Sequence, residues 1–186
     1  MKFDFKELES ELPKINASKR RAVKFLSEKG ISLNLPPVDF EINVASLKEI
    51  KIAAIMDEFT LHCYQPECSL LQVSPEHFRE ELDFYLPDML FVESAWNGNG
   101  GLWKDKIANG SAEYFALAEY CKQKRIPVIF WNKEDPVHFN DFLHVAKTAD
   151  YVFTTDRDVI PKYRRILESD KIYHLHFAAQ PKLHNP

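Results

Sequence analysis

The residues with chemistry to offer in this 186-residue chain gather directly after short apolar runs. Asp57-Glu58-Phe59-Thr60 follows the first run. Glu93-Ser94-Ala95-Trp96-Asn97, continuing into Gly98 to Gly101, closes another. Trp131-Asn132-Lys133-Glu134-Asp135-Pro136, Thr154-Thr155-Asp156 and Ala178-Ala179-Gln180-Pro181 close three more. Carboxylates, indoles and amides are the groups a sugar site uses. An indole covers the apolar face of a pyranose, Asp, Glu and Asn bind its hydroxyls, and a carboxylate takes the proton of an attacking hydroxyl. Asp57, Glu58, Glu134 and Asp135 are expected to converge on one rim. Each also has a plainer reading, as the cap of the next helix or turn.

Other chemistries are less well provided. Asn97-Gly98-Asn99-Gly100-Gly101 lacks the G-x-G-x-x-G spacing of a dinucleotide site, and no Walker lysine follows. His62, Cys63 and Cys68 could open a zinc site, but no second ligand pair follows at useful spacing. His138 opens a helix and His144, six residues on, points elsewhere. His174 and His176 share one side of an extended segment without further ligands. No metal site is assigned. The long stretch from Trp96 to Gly110, glycine-rich and containing Trp103, reads as a mobile lid over a crevice.

The elements that must position these groups follow from rhythm and boundary signals. Strands are expected over Ile50 to Met56, Ser69 to Val73, Met89 to Glu93, Pro127 to Trp131, Tyr151 to Thr154 and Lys171 to His174. None alternates strictly, as expected for strands covered on both faces. Ser74-Pro75-Glu76 starts a helix that ends at Tyr85-Leu86-Pro87, and Ser111 starts one that closes on Lys122 to Arg125. Two more are expected over about His138 to Lys147 and Ile160 to Glu168. The result is an α/β fold, a Rossmann-like doubly wound parallel sheet over residues 49–186, with ligands beyond the carboxyl ends of its strands. Residues 1–48 read as a helical appendage. Phe5, Leu8 and Leu12 form one apolar stripe, and Ala22, Phe25 and Leu26 form another on a basic helix that packs on the main domain or lies on a membrane surface.

Composition sets the outer bounds. The chain is 45% hydrophobic and 13% aromatic, enough for a packed core rather than a disordered chain. A net charge of −4 argues against a general nucleic-acid binder. Three cysteines, with no leader sequence legible, fit a reducing cytoplasm, and no apolar run approaches the roughly 18 residues of a membrane span.

Several of these segments carry a resemblance. Ala53 to Phe59, Phe130-Trp131-Asn132-Lys133-Glu134-Asp135-Pro136-Val137-His138-Phe139, Ala149 to Asp156, and Phe177 to Pro181 with His184-Asn185-Pro186 resemble, in the same order, the spore-maturation CgeB-like family of glycosyltransferases. The resemblance covers roughly Ile50 to Pro186. It implies a GT-B architecture, in which two Rossmann-like domains face each other with the acceptor mainly on the first and a nucleotide-sugar donor mainly on the second. This chain matches the first, so the C-terminal donor domain is the missing partner and these 186 residues alone are expected to fold without robust activity.

Asp57 and Glu134 are then the candidates for catalytic base or charge stabiliser. Glu58, Trp96, Asn97, Trp131, Asn132, Asp135, His138, Thr155 and Asp156 are expected to shape the side that binds a carbohydrate or glycan acceptor, with no cofactor held in this half. Two other readings compete. One is a non-catalytic binding or assembly module that docks on a partner chain. The other is a receiver-like signalling domain, whose phosphorylation chemistry needs an aspartate where Glu93 stands and a lysine where Thr154-Thr155-Asp156 stands.

Overall fold

The computed structural model describes residues 46–184, and Leu47–Pro186 forms one compact unit. The helical appendage and its expected membrane or packing face fall, apart from residues 46–48, outside the described residues. Six strands, β1 (Lys51–Ile55), β2 (Ser69–Gln72), β3 (Met89–Glu93), β4 (Val128–Asn132), β5 (Tyr151–Thr154) and β6 (Ile172–His174), form one all-parallel sheet in the order β2-β1-β3-β4-β5-β6. They alternate with the helices α1 (Glu58–Tyr64), α2 (Phe78–Tyr85), α3 (Ala112–Lys124), α4 (Phe139–Ala146) and α5 (Ile160–Leu167). This is the Rossmann-like doubly wound sheet expected from the rhythm of apolar runs.

Right-handed crossovers decide which face each helix covers. The chain winds outward from β1 to β2 through α1, then returns past β1 to β3 and onward through α2, α3, α4 and α5. Those four helices therefore share one face. Their side chains Phe78, Leu82, Tyr114, Leu117, Phe139, Phe142 and Tyr163 join Ala53, Ile55, Leu90, Val92, Phe130 and Val152 of the sheet in one buried core. The other face holds α1, where Tyr64 packs on Phe91 at 5.5 Å and Phe91 meets Trp131 at 6.4 Å.

Caps explain the helix boundaries. The Ser111 hydroxyl accepts the Tyr114 amide at the start of α3, and Arg125 closes that helix in the left-handed region at φ 57°. Ser74 accepts the His77 amide at 3.1 Å, while its own amide and hydroxyl bond the Glu81 carboxylate at 2.8 Å. That reciprocal clasp holds Pro75 to His77 as a turn, so α2 begins at Phe78, later than its sequence signal suggests. α1 was not among the expected helices. At seven residues it is too short for a periodic apolar stripe to be legible.

The reversal of winding lies between β1 and β3, so the crevice of this fold opens where Met56-Asp57, Glu93-Ser94 and the residues after β4 meet. Register fixes the neighbours there: Glu93 lies opposite Trp131, and Asn132 opposite Thr154. No helix among the described residues is long and apolar enough to cross a membrane.

Candidate functional site

An ion network occupies the crevice. The Lys133 ammonium lies 2.7 Å from Glu93 Oε1 and 3.3 Å from Asp57 Oδ2. Glu93, with no exposed side-chain surface, also accepts the Thr60 hydroxyl at 2.6 Å and the Asp57 amide at 2.7 Å. Burial pushes the Glu93 carboxyl above the ordinary glutamate value, and Lys133 offsets only part of that rise. Burial pulls the lysine down, but its two carboxylate neighbours outweigh the effect and keep it charged.

Asp57 faces a set of backbone donors. The amides of Trp96, Asn97 and Gly98 converge on its carboxylate at 3.3, 3.2 and 2.8 Å. Burial raises its pKa, yet the Gly98 amide and the Lys133 charge together hold it below the usual aspartate value. Asp57 also stands at the N-cap position of α1 without capping it by its side chain, because the carboxylate is turned to the loop after β3. A carboxylate so committed is a weak base; of the two roles expected for Asp57, base or charge stabiliser, this geometry suits the second better, and it also anchors the loop after β3.

The segment from Trp96 to Gly110 is not the mobile lid that its glycines suggest. Asn99 is buried. Its amide nitrogen donates to the carbonyls of Ala54 and Val73 at 2.8 and 2.9 Å, and its oxygen accepts the Met56 amide at 3.1 Å. Trp103 is fully buried and its indole N–H donates to the Val73 carbonyl at 2.8 Å. His144 of α4 bonds the Ile107 carbonyl at 2.7 Å. Gly98 sits at φ 52°, where a Cβ would come within 2.8 Å of the Trp103 Cβ, so glycine serves a close approach here and not a hinge.

A second cluster stands beside the first, after β4 and β5. The half-buried Asp135 carboxylate accepts the Thr154 hydroxyl at 2.6 Å and the Asn132 amide at 2.8 Å, with the Tyr163 hydroxyl at 3.4 Å. Burial pushes its pKa up to about 6, with the nearby Asp156 adding to the rise, while Thr154, Tyr163 and Lys162 pull the other way. Asn132 is buried and shares its amide with Tyr163 at 2.9 Å. Both residues hold the turn after β4 from within.

The remaining candidates divide by exposure. The half-buried Glu134 donates its amide to Asn132 Oδ1 at 3.1 Å, and its carboxylate has no hydrogen bond or ion pair among the described residues. Glu58 and Asn97 are exposed on the same edge. Trp96 is partly open, with ring contacts to His138 at 5.0 Å and Phe142 at 5.2 Å, and His138 is held by Asp141 at 2.8 Å. Thr155 and Asp156 serve the backbone: Thr155 bonds the Lys133 carbonyl at 3.4 Å, and Asp156 caps the turn at Asp158 at 2.8 Å. Trp131, expected to be a sugar platform, is only 3% exposed. Phe177 covers it at 5.2 Å and the Leu175 carbonyl accepts its indole N–H at 3.1 Å.

Sequence reasoning missed Glu93, Lys133, Thr60, Asn99 and Tyr163 as members of the site. Glu93 and Lys133 lie within segments singled out for their polarity, and a charged residue closing an otherwise apolar strand was the available signal. Lys133 follows β4, where the receiver chemistry needs its lysine after β5, and Glu93 is buried and paired. No group of three or more His, Cys, Asp or Glu side chains among the described residues could hold a metal ion. A groove of about 220 Å³ between Ala146–Asp150 and Ile166–Ile172 lies at the opposite, amino-terminal edge of the sheet, away from all of these groups. Neither family models, nor curated proteins, nor solved structures give a match to this chain.

Proposed function

We propose that residues 49–186 are the acceptor-side domain of a GT-B glycosyltransferase, similar to the CgeB-like family, that transfers a sugar from a nucleotide-sugar to an acceptor hydroxyl in cytoplasmic synthesis of an envelope or spore glycan. The observation that carries this reading is the charge and donor pattern of the carboxyl edge. Asp57, Glu58, Glu93, Glu134, Asp135, Asp156 and Asp158 lie at or directly after the strand ends of that edge, with Lys133, Arg157 and Lys162, and the loop after β3 adds Lys104, Asp105 and Lys106, the last paired with Glu113. Its converging backbone amides are already filled by Asp57. Such an edge repels a diphosphate and suits a neutral, hydroxyl-rich molecule.

The roles follow from the geometry. Glu134 takes the proton from the acceptor hydroxyl as its oxygen bonds the anomeric carbon, while the sugar–phosphate bond breaks and its electron pair leaves with the nucleoside diphosphate. Trp96 offers a partly open ring to the acceptor, with Glu58 and Asn97 near it on the rim. Asp57, Asn132, Asp135, Thr155 and Asp156 position the loops that carry these groups, and His138 supports Trp96. Stabilising the departing diphosphate falls to a second Rossmann-like domain, since a GT-B enzyme needs two.

In the two-domain enzyme, Glu134→Gln is expected to lower turnover by about 100-fold or more with little change in acceptor KM, the loss typical of a missing general base. Turnover within a few-fold of normal would remove Glu134 from the chemistry. A second reading, a binding module that docks on another chain, draws on the exposed apolar side chains Tyr173 (45%), Phe177 (53%) and Leu183 (51%). Saccharide titration followed by NMR separates the two, because only the transferase reading expects shifts at Trp96, Asn97 and Gly98.

A further inference from the structure

We propose that residues 175–180 form a lid over a saccharide platform made by the indole of Trp131, an inference that rests on the acceptor reading above. Leaving β6, the chain turns back across the face of the sheet that carries α1. Two anchors hold it. At the near end, the Leu175 amide donates to the Thr154 carbonyl at 2.9 Å and the Leu175 carbonyl receives the Trp131 indole N–H. At the far end, Gln180 is buried and donates to the Cys63 carbonyl at 2.7 Å and to Glu67 at 3.2 Å. Lys182 adds bonds to the Pro66 carbonyl at 2.9 Å and to Glu67 at 3.1 Å.

Between the anchors the span is bare. His176, Phe177, Ala178 and Ala179 are exposed, and none of them makes a hydrogen bond among the described residues. Segments with exposed backbone and few bonds open at the low end of the local stability range. What the span covers is out of proportion to its attachment. Trp131 is large, lies beside Asn132 and Glu134 at the carboxyl end of β4, and has two rings against it on this side, Phe91 of the sheet and Phe177 of the span. The Phe177 ring sits 5.2 Å from the indole at an interplanar angle of 59°. An apolar ring of this size occupies the space a pyranose needs to stack on an indole. Lifting residues 176–179 frees the Trp131 face within one residue of the Asn132–Asp135 turn and leaves both anchors' partners on rigid elements. The lid closes by placing Phe177 where the sugar goes.

The test is NMR on the labelled protein, with the Trp131 indole signal assigned through Trp131→Phe, titrated with the methyl glycosides of glucose, galactose and N-acetylglucosamine. Phe177→Ala removes the plug from an exposed position, and Gln180→Ala loosens the far anchor by a different route. Binding is expected to move the Trp131 indole and the amides of residues 175–180. If the lid is open in about a tenth of wild-type molecules, both variants should bind about tenfold more tightly. Shifts at Trp96 alone, with unchanged affinity in both variants, would overturn the lid and keep the acceptor reading. No shift at either tryptophan in any of the proteins would overturn both.

Discussion

At the carboxyl edge Lys133 brings one positive charge to two carboxylates, and it is the member whose loss cannot be absorbed. Glu93 has no water to turn to, so Lys133→Met leaves it buried and uncompensated, and a loss of about 3 kcal/mol of unfolding free energy is expected. Urea denaturation measures it, and a loss below about 1 kcal/mol would show that the network is incidental. Asp135 makes a prediction of opposite character. Its folded-state pKa of about 6 stands above the ordinary 3.8, so the folded protein binds the proton more tightly than the unfolded chain between those values. The stabilisation is complete at low pH and is lost as pH rises through about 6. Glu93 shifts in the same direction, while Asp57, with its lowered pKa, contributes stability that is lost only as pH falls. Asp135→Asn, which keeps an acceptor for Thr154, should flatten the decline between pH 4 and pH 6. An unchanged slope would place the proton elsewhere.

At the scale of elements, the loop after β3 contradicts its own composition. Three glycines within Gly98 to Gly101 read as mobility, yet Asn99 and Trp103 reach back to the carbonyls at the ends of β1 and β2 and close them off from water. Asn99→Ala strands the buried Met56 amide and takes one donor each from the Ala54 and Val73 carbonyls, which keep the Val73 amide and the Trp103 indole, and is expected to cost about 1–3 kcal/mol. Hydrogen exchange gives an independent check: the Trp103 indole N–H should exchange with the slow core amides, and rapid exchange would restore the lid reading. The strands were legible because apolar runs of four or five residues bounded by Pro, Gly and Asp have few other interpretations. Half of their observed ends coincide with expectation and the other half differ by one residue. The fate of polar loop residues was not legible. Asn99 in a glycine-rich run looks like a turn former, and only the return of the loop onto the Val73 carbonyl, 26 residues away, reveals it as a buried clasp. The surroundings of Trp131 were illegible for the same reason: its place at a strand end was readable, but Phe177, whose ring lies 5.2 Å away, is distant in sequence.

Across the whole molecule, the winding order concentrates carboxylates at one edge and leaves the cations of α3, Lys122 and Lys124, at the far end of a helix that starts on that edge. A net charge of −4 is therefore unevenly presented, and the crevice is more acidic than the chain as a whole. The sequence carried the positions of these residues but not their pairing, so the balance between an anion-binding and a hydroxyl-binding edge became readable only once Asp57 was seen to fill the amides of Trp96 to Gly98. On the transferase reading proposed above, that balance favours the acceptor half. A donor-side domain must hold a diphosphate, and here the diphosphate would meet Asp57 and Glu134, with the Lys133 ammonium beside them already shared between Asp57 and the buried Glu93. Calorimetric titration with uridine, guanosine and cytidine diphosphates should give no detectable binding to these residues at millimolar concentrations, in either low or moderate salt. Neutral saccharides, indifferent to the field, should bind with an affinity that salt does not change. Tight, salt-sensitive binding of any nucleoside diphosphate would reverse the assignment and make this the donor half.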